Sequence, residues 1–157
     1  MKISKKLQVQ YAIVMSILAY LLPVILYYIT GTIEHSISAY HETDAKIALL
    51  IMLLLIASSF FTGLVRYKIG GVLLILVALI NIDYGLIHDI VSYTFFLYIA
   101  IVMLIDKRFY ILSLPMFLSL FFIKILGLYS YELIAIFCLA SFSMLYGLRY
   151  LKVLNVK

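Results

Sequence analysis

Three histidines, His35, His41 and His88, share the chain's most polar stretches with Glu34, Glu42, Asp44, Asp83 and Asp89 and with the hydroxyls of Ser36, Ser38 and Thr43. Imidazole and carboxylate are the groups that catalytic zinc takes, with three protein ligands and a water in the fourth position. Brought together, His35, His41 and His88 would hold such an ion and turn its water against a lipid headgroup or an amide. The spacing speaks for a plainer role: His35 and His41 are neither the i, i+4 pair of a helical HExxH site nor a finger pair. No GxSxG elbow surrounds Ser36 or Ser38, which read as loop hydroxyls or as the cap of a short helix. The expectation is therefore no cofactor, with zinc reserved for the alternative of a metal-dependent lipid hydrolase.

A second set of residues matters because of where the chain would place it. Lys124, Asp83, Asp89 and Glu132 fall at the ends of strongly apolar runs. An unpaired charge inside hydrocarbon costs several kcal/mol. Pairing of Lys124 with Glu132 or Asp83 would satisfy both partners and would suit an ion or proton path, the carrier alternative. Snorkelling of the Lys124 side chain to the headgroups is the simpler use. A third set is made of small and hydroxyl residues, Ser58, Ser59, Thr62 and Gly63 in one run and Ser141 and Ser143 in another. Ser59 and Gly63 make a small-xxx-small step, suited to close helix packing or, with several copies of the chain, to lining a pore.

The elements that must position these groups follow from composition. Of 157 residues 67% are hydrophobic and 12% charged, and the mean hydropathy is +1.21. A water-soluble domain of that make-up would expose apolar patches far beyond the few hundred Å² that monomers tolerate. Lipid is the expected solvent, which disfavours a soluble enzyme, a nucleic-acid binder and a disordered tail together. The single Cys138 excludes a disulfide within one chain and any CxxC motif. Apolar runs long enough for a hydrocarbon core of about 30 Å fall at about 11–30, 46–65, 69–87, 89–105, 109–126 and 131–149. The fold expected is all-α: one integral membrane bundle of six transmembrane helices over residues 1–157, with no soluble domain. The first helix is expected to be retained, since residues 12–29 are long for a signal peptide's apolar region.

Charge order gives the orientation. With the N-terminus inside, Lys2, Lys5, Lys6, Arg66, Lys68, Lys107, Arg108, Arg149, Lys152 and Lys157 are cytoplasmic, with Asp106 the one acid among them. The remaining acids and all three histidines lie outside. Both termini are thus expected to be cytoplasmic, and the net charge of +5 records topology rather than nucleic-acid binding. Tyr11, Tyr67, Tyr110, Tyr146 and Tyr150 mark the inner interface, and Tyr27, Tyr28, Tyr40, Tyr84, Tyr129 and Tyr131 the outer one.

The run Ser36-Ile37-Ser38-Ala39-Tyr40, with Thr43 and Lys46 after it, resembles the first outer loop of a set of small, functionally uncharacterised bacterial multispanning membrane proteins. In these the loop reads Ser-Ile-Ser-x-Tyr-Tyr, followed by a Thr and a basic residue that opens the second span; His41 stands here in place of the second Tyr. His88 and Glu132 occupy comparable places at the starts of later spans. The resemblance implies a multi-pass protein of the bacterial inner membrane and assigns no reaction. The function expected is that of a non-enzymatic membrane subunit, a channel-like, sensor or scaffold component. Its expected partners are the bilayer, further copies of itself and a soluble cytosolic protein, with no nucleic acid.

Overall fold

The computed structural model describes residues 4–62, 67–80, 82–106, 109–122, 125 and 127–155. Among these residues there are six α-helices and no strand: α1 Lys5–Thr30, α2 Lys46–Ser59, α3 Lys68–Leu79, α4 Leu86–Ile105, α5 Tyr110–Phe121 and α6 Leu128–Asn155. Each packs against its neighbour in sequence, and α6 returns to pack along α1, closing a ring; α4 also touches α6. The core is the inside of that ring, with Leu22, Leu26, Leu49, Phe95, Ile99 and Met103 almost fully buried.

The outside is as apolar as the core. Val14, Ile17, Leu21 and Val24 on α1, Ile47, Ile51 and Leu55 on α2, and Ile69, Val72, Leu76 and Leu79 on α3 are exposed. So are Ile90, Leu97, Ile101 and Leu104 on α4, Ile111, Leu114 and Leu118 on α5, and Leu145 and Leu148 on α6. The i, i+3, i+4 steps of these residues put them on one outward stripe per helix. Water would not tolerate so much exposed hydrocarbon, whereas lipid would.

Three helices, Lys5–Thr30, Leu86–Ile105 and the Leu128–Lys152 part of α6, are long and apolar enough to cross a membrane; α2, α3 and α5 are shorter apolar helices. At 1.5 Å per residue, the 26 residues of α1 reach about 39 Å, whereas the 12 of α3 reach only about 18 Å. The local sequence explains the shortfall. The run expected at 69–87 leaves the helix at Ile80, which turns extended with ψ 103°, and Ile82–Tyr84 form a 3₁₀ turn instead. Asp83 and Gly85 favour such a turn over a helix, and Gly85 takes φ 48°. The run expected at 46–65 ends in helix at Ser59, where the Phe60 N–H turns back to the carbonyl of Ala57, 3.0 Å away. Pro23 and Pro115 both lie inside helices, α1 and α5.

Two glycines show how tightly the outer loop and the ring are made. Gly31 ends α1 in the left-handed region at φ 70°, its N–H 2.7 Å from the Tyr27 carbonyl, and so turns the chain into the outer loop. Gly147 lets α6 lie against α1, because a Cβ there would stand 2.9 Å from Cγ1 of Ile13. Gly147→Leu is expected to cost about 1–3 kcal/mol through overpacking, read as a lower thermal midpoint of the protein in detergent.

Candidate functional site

The polar stretch between α1 and α2 is folded into one end of the ring, beside the starts of α4 and α6. Ser36, Ile37, Ala39, Tyr40, His41 and Ala45 are buried, and Ser38–Glu42 form a 3₁₀ turn that packs on α2 and on the Ile82–Tyr84 turn. The short helix that Ser36 or Ser38 would cap is thus a single 3₁₀ turn, buried at Ala39, Tyr40 and His41. Its residues explain the folding: the Ser36 hydroxyl caps the turn by accepting the Ala39 N–H at 3.0 Å. The Tyr40 hydroxyl donates to the Thr32 carbonyl at 2.9 Å, and Thr43 donates to the Tyr40 carbonyl at 2.9 Å. These side-chain bonds replace the helix or sheet ladder that a buried backbone otherwise needs.

Glu132, in the first turns of α6, fixes this loop to the bundle. It is 5% exposed, its Oε2 accepts the Ile37 N–H, and its Oε1 accepts the Ser38 hydroxyl at 3.0 Å. The Tyr129 N–H adds a bond to the His35 carbonyl at 3.0 Å. Lys124, the partner expected for Glu132 or Asp83, lies outside the described residues, as does Gly63. Asp83 and Asp89 are exposed near the loop rather than sunk in the ring.

Two histidines meet beneath the loop. His88, 2% exposed, sits on α4 with Nδ1 2.6 Å from the Ile80 carbonyl and Nε2 3.3 Å from the Ser92 hydroxyl. A carbonyl only accepts, so Nδ1 carries the proton, and in the neutral ring Nε2 is left to accept from Ser92. The bond also satisfies a carbonyl that the end of α3 leaves open. His41 is 5% exposed, and both its ring nitrogens are buried without a hydrogen-bond partner among the described residues. Burial holds its pKa below the ordinary value of 6.5, helped by nearby His88 and Lys46 and opposed by Asp83. His35 is exposed, and among the described residues no group of three or more His, Cys, Asp or Glu is placed to hold a metal ion.

His41, Ser38, Ser92 and Glu132 line one end of a cavity of about 50 Å³. The other walls are apolar, Leu22, Leu49, Leu53, Leu74, Phe95 and Leu139 among them. An outer cleft shares Ser38, Ser92 and Glu132 with it and adds His88, Asp89, Tyr93 and Tyr131. The result is a chamber with one polar end under the loop and an apolar interior. Ser92 is the member that sequence reading overlooks; its signal is the i, i+4 step from His88, which puts both on one face of α4.

Of the third set, Ser58 and Ser141 make bonds between helices. Tyr11 on α1 and Ser58 on α2 share a hydroxyl bond of 2.5 Å, and Tyr20 on α1 and Ser141 on α6 another of 2.5 Å. Ser59 and Ser143 line a separate cavity of about 30 Å³ with Phe60, Tyr67 and Phe142. The Ser59 and Thr62 hydroxyls donate to the carbonyls of Ile56 and Ser59 at 2.6 and 2.7 Å. Comparison with family models, curated proteins and solved structures gives no match, so the functional argument rests on this geometry.

Proposed function

We propose that the chain is a six-span membrane protein with both termini cytoplasmic, and that it works as a non-enzymatic receiving subunit, a sensor or channel-like component whose ligand enters the chamber under the outer loop. The observation that carries this reading is His41, an imidazole with two buried, unpartnered ring nitrogens on the chamber wall. Burying an unsatisfied polar group costs on the order of 1–3 kcal/mol. A position that had only to pack would hold Leu; one that offers a donor and an acceptor to an incoming group holds His. The outward apolar stripes on all six helices support six spans. The buried ring interior of Leu49, Leu53, Phe95, Ile99 and Met103 lacks the polar lining that conduction through one copy requires. Self-association or docking of a soluble cytosolic protein would then carry the signal onward.

Topology is tested with single cysteines in a Cys138→Ser background. Glu34→Cys is expected to react with a membrane-impermeant maleimide in intact cells, and Ser4→Cys only after permeabilisation. Equal reaction of both in intact cells would remove the proposed orientation.

The hydroxyl of Ser92 against Nε2 of His88, with Nδ1 held by a carbonyl, also favours a second reading: a serine nucleophile and its base. That would make the chamber a lipid hydrolase of a different kind from the zinc enzyme. The two readings separate on one measurement. The receiving subunit is expected to take up no fluorophosphonate label, whereas a hydrolase would be labelled and would lose the label in Ser92→Ala.

A further inference from the structure

We propose that the chamber's ligand is a small primary ammonium ion carrying a short alkyl group; this rests on the chamber being a receiving site. The polar end is rich in acceptors. Both oxygens of Glu132 accept bonds, the Ser38 N–H is a third donor to the carboxylate, and a carboxylate has about four lone-pair sites, so one remains. Its partners among the described residues are neutral donors, the Ile37 N–H and the N–H and hydroxyl of Ser38, so among these residues no cation balances a charge on it. A buried carboxyl in that state either keeps its proton or takes a cation in the proton's place. His41, kept neutral by its burial, offers a second acceptor. Ser92, whose proton points to His88, offers a third. An R–NH₃⁺ group has three N–H donors and one positive charge, which matches three acceptors of which one is anionic.

The rest of the chamber fixes the other half of the molecule. Leu22, Leu49, Leu53, Phe95 and Leu139 line it, so a hydrated metal ion would lose its water without gaining the six or more oxygen ligands that hard cations demand. An anion would meet Glu132 at close range. A cavity of about 50 Å³, at roughly 10–15 Å³ per water-sized centre, holds about three to five non-hydrogen atoms. Propylammonium has that size. The neighbouring Asp89, on the outer cleft, would draw a cation toward the site, and the loop residues Ile37 and Ser38 would close over it.

The test uses the purified full-length protein in phosphatidylcholine nanodiscs at pH 7.5, titrated with propylammonium, 1-propanol and sodium propionate and followed by thermal midpoint and calorimetry. Saturable binding of propylammonium, weakened at least tenfold in His41→Leu and in Glu132→Gln and not reproduced by propanol or propionate, is the expected result. His41→Leu keeps the Glu132 contacts to the loop, so it gives a reading even where Glu132→Gln folds poorly. Propanol or propionate binding as well as propylammonium, with loss in His41→Leu, would overturn the ammonium assignment and leave the receiving site standing. Binding of none of the three would overturn the assignment as well. Propylammonium binding unchanged in both variants would place the ligand elsewhere and overturn both readings of the chamber.

Discussion

Glu132→Ala is expected to lower the stability of the folded protein by about 3 kcal/mol and to release the outer loop from the bundle. The side chain is the acceptor for the buried Ile37 N–H and for the Ser38 hydroxyl. Truncation leaves two donors at the foot of the 3₁₀ turn with nothing to replace the carboxylate. Each buried donor without a partner costs about 1–3 kcal/mol, and the relief of a buried charge offsets part of that sum. Glu132→Gln keeps one oxygen acceptor but turns an NH₂ group toward a donor, so about half the loss is expected. Tyr20→Phe, which removes the hydroxyl bond to Ser141 between α1 and α6, is the control and is expected to cost about 1 kcal/mol without touching the loop. Thermal midpoints in nanodiscs rank the three. Hydrogen exchange locates the effect: in Glu132→Ala the amides from Ser36 to His41 lose protection while those of α4 keep theirs. Unchanged protection in the loop would show that Glu132 does not hold it.

This latch marks the boundary of what the sequence discloses. The all-α architecture is legible because hydrocarbon faces both inward and outward, so apolar residues run along whole helices whichever side they meet. The start of α2 at Lys46 is legible too, since charge marks it, whereas the run read as 69–87 passes through Gly85, where the chain turns and α4 begins at Leu86. The fate of the segment between α1 and α2 is not legible either. Glu34, His35, His41, Glu42 and Asp44 have the composition of a solvated loop, and the bonds that bury part of it are made by hydroxyls in contact with their own backbone. Such bonds leave no periodic trace. Glu132 suggests a charged partner to a reader of spans, yet it holds a backbone N–H 95 positions away in the chain, a pairing that only the closing of α6 on α1 creates. His88 and Ser92 are the intermediate case: a spacing of four residues on one helix carries the signal of their pairing, yet Ser92 does not stand out in a sequence read for histidines and charges.

His41→Leu is expected to stabilise the protein by about 1–2 kcal/mol at pH 7.5, an unusual sign for a change at a buried position. The imidazole has no hydrogen-bond partner on either nitrogen, so its removal breaks nothing, and an apolar side chain of similar volume suits walls made of Leu49, Leu53 and Leu74. The effect should also depend on pH. The folded pKa is lowered below 6.5, first by burial and then by His88 and Lys46, with Asp83 acting in the opposite direction. The unfolded chain therefore takes up the His41 proton at a higher pH than the folded one. Above pH 6.5 neither state is charged and nothing is lost; below it, stability falls as the unfolded state binds more protons, until the folded pKa is reached. One proton allows a slope of at most about 1.4 kcal/mol per pH unit. The informative quantity is the difference between wild type and His41→Leu, which should be constant from pH 8 to 7 and widen toward pH 5.5. A difference independent of pH would mean that His41 is protonated alike in both states and is not a desolvated wall of the chamber. A destabilised His41→Leu would mean that the imidazole contributes to packing. A stabilised variant that no longer binds ammonium would show a residue kept at the expense of stability, as expected where binding rather than folding decides what stands in the chamber.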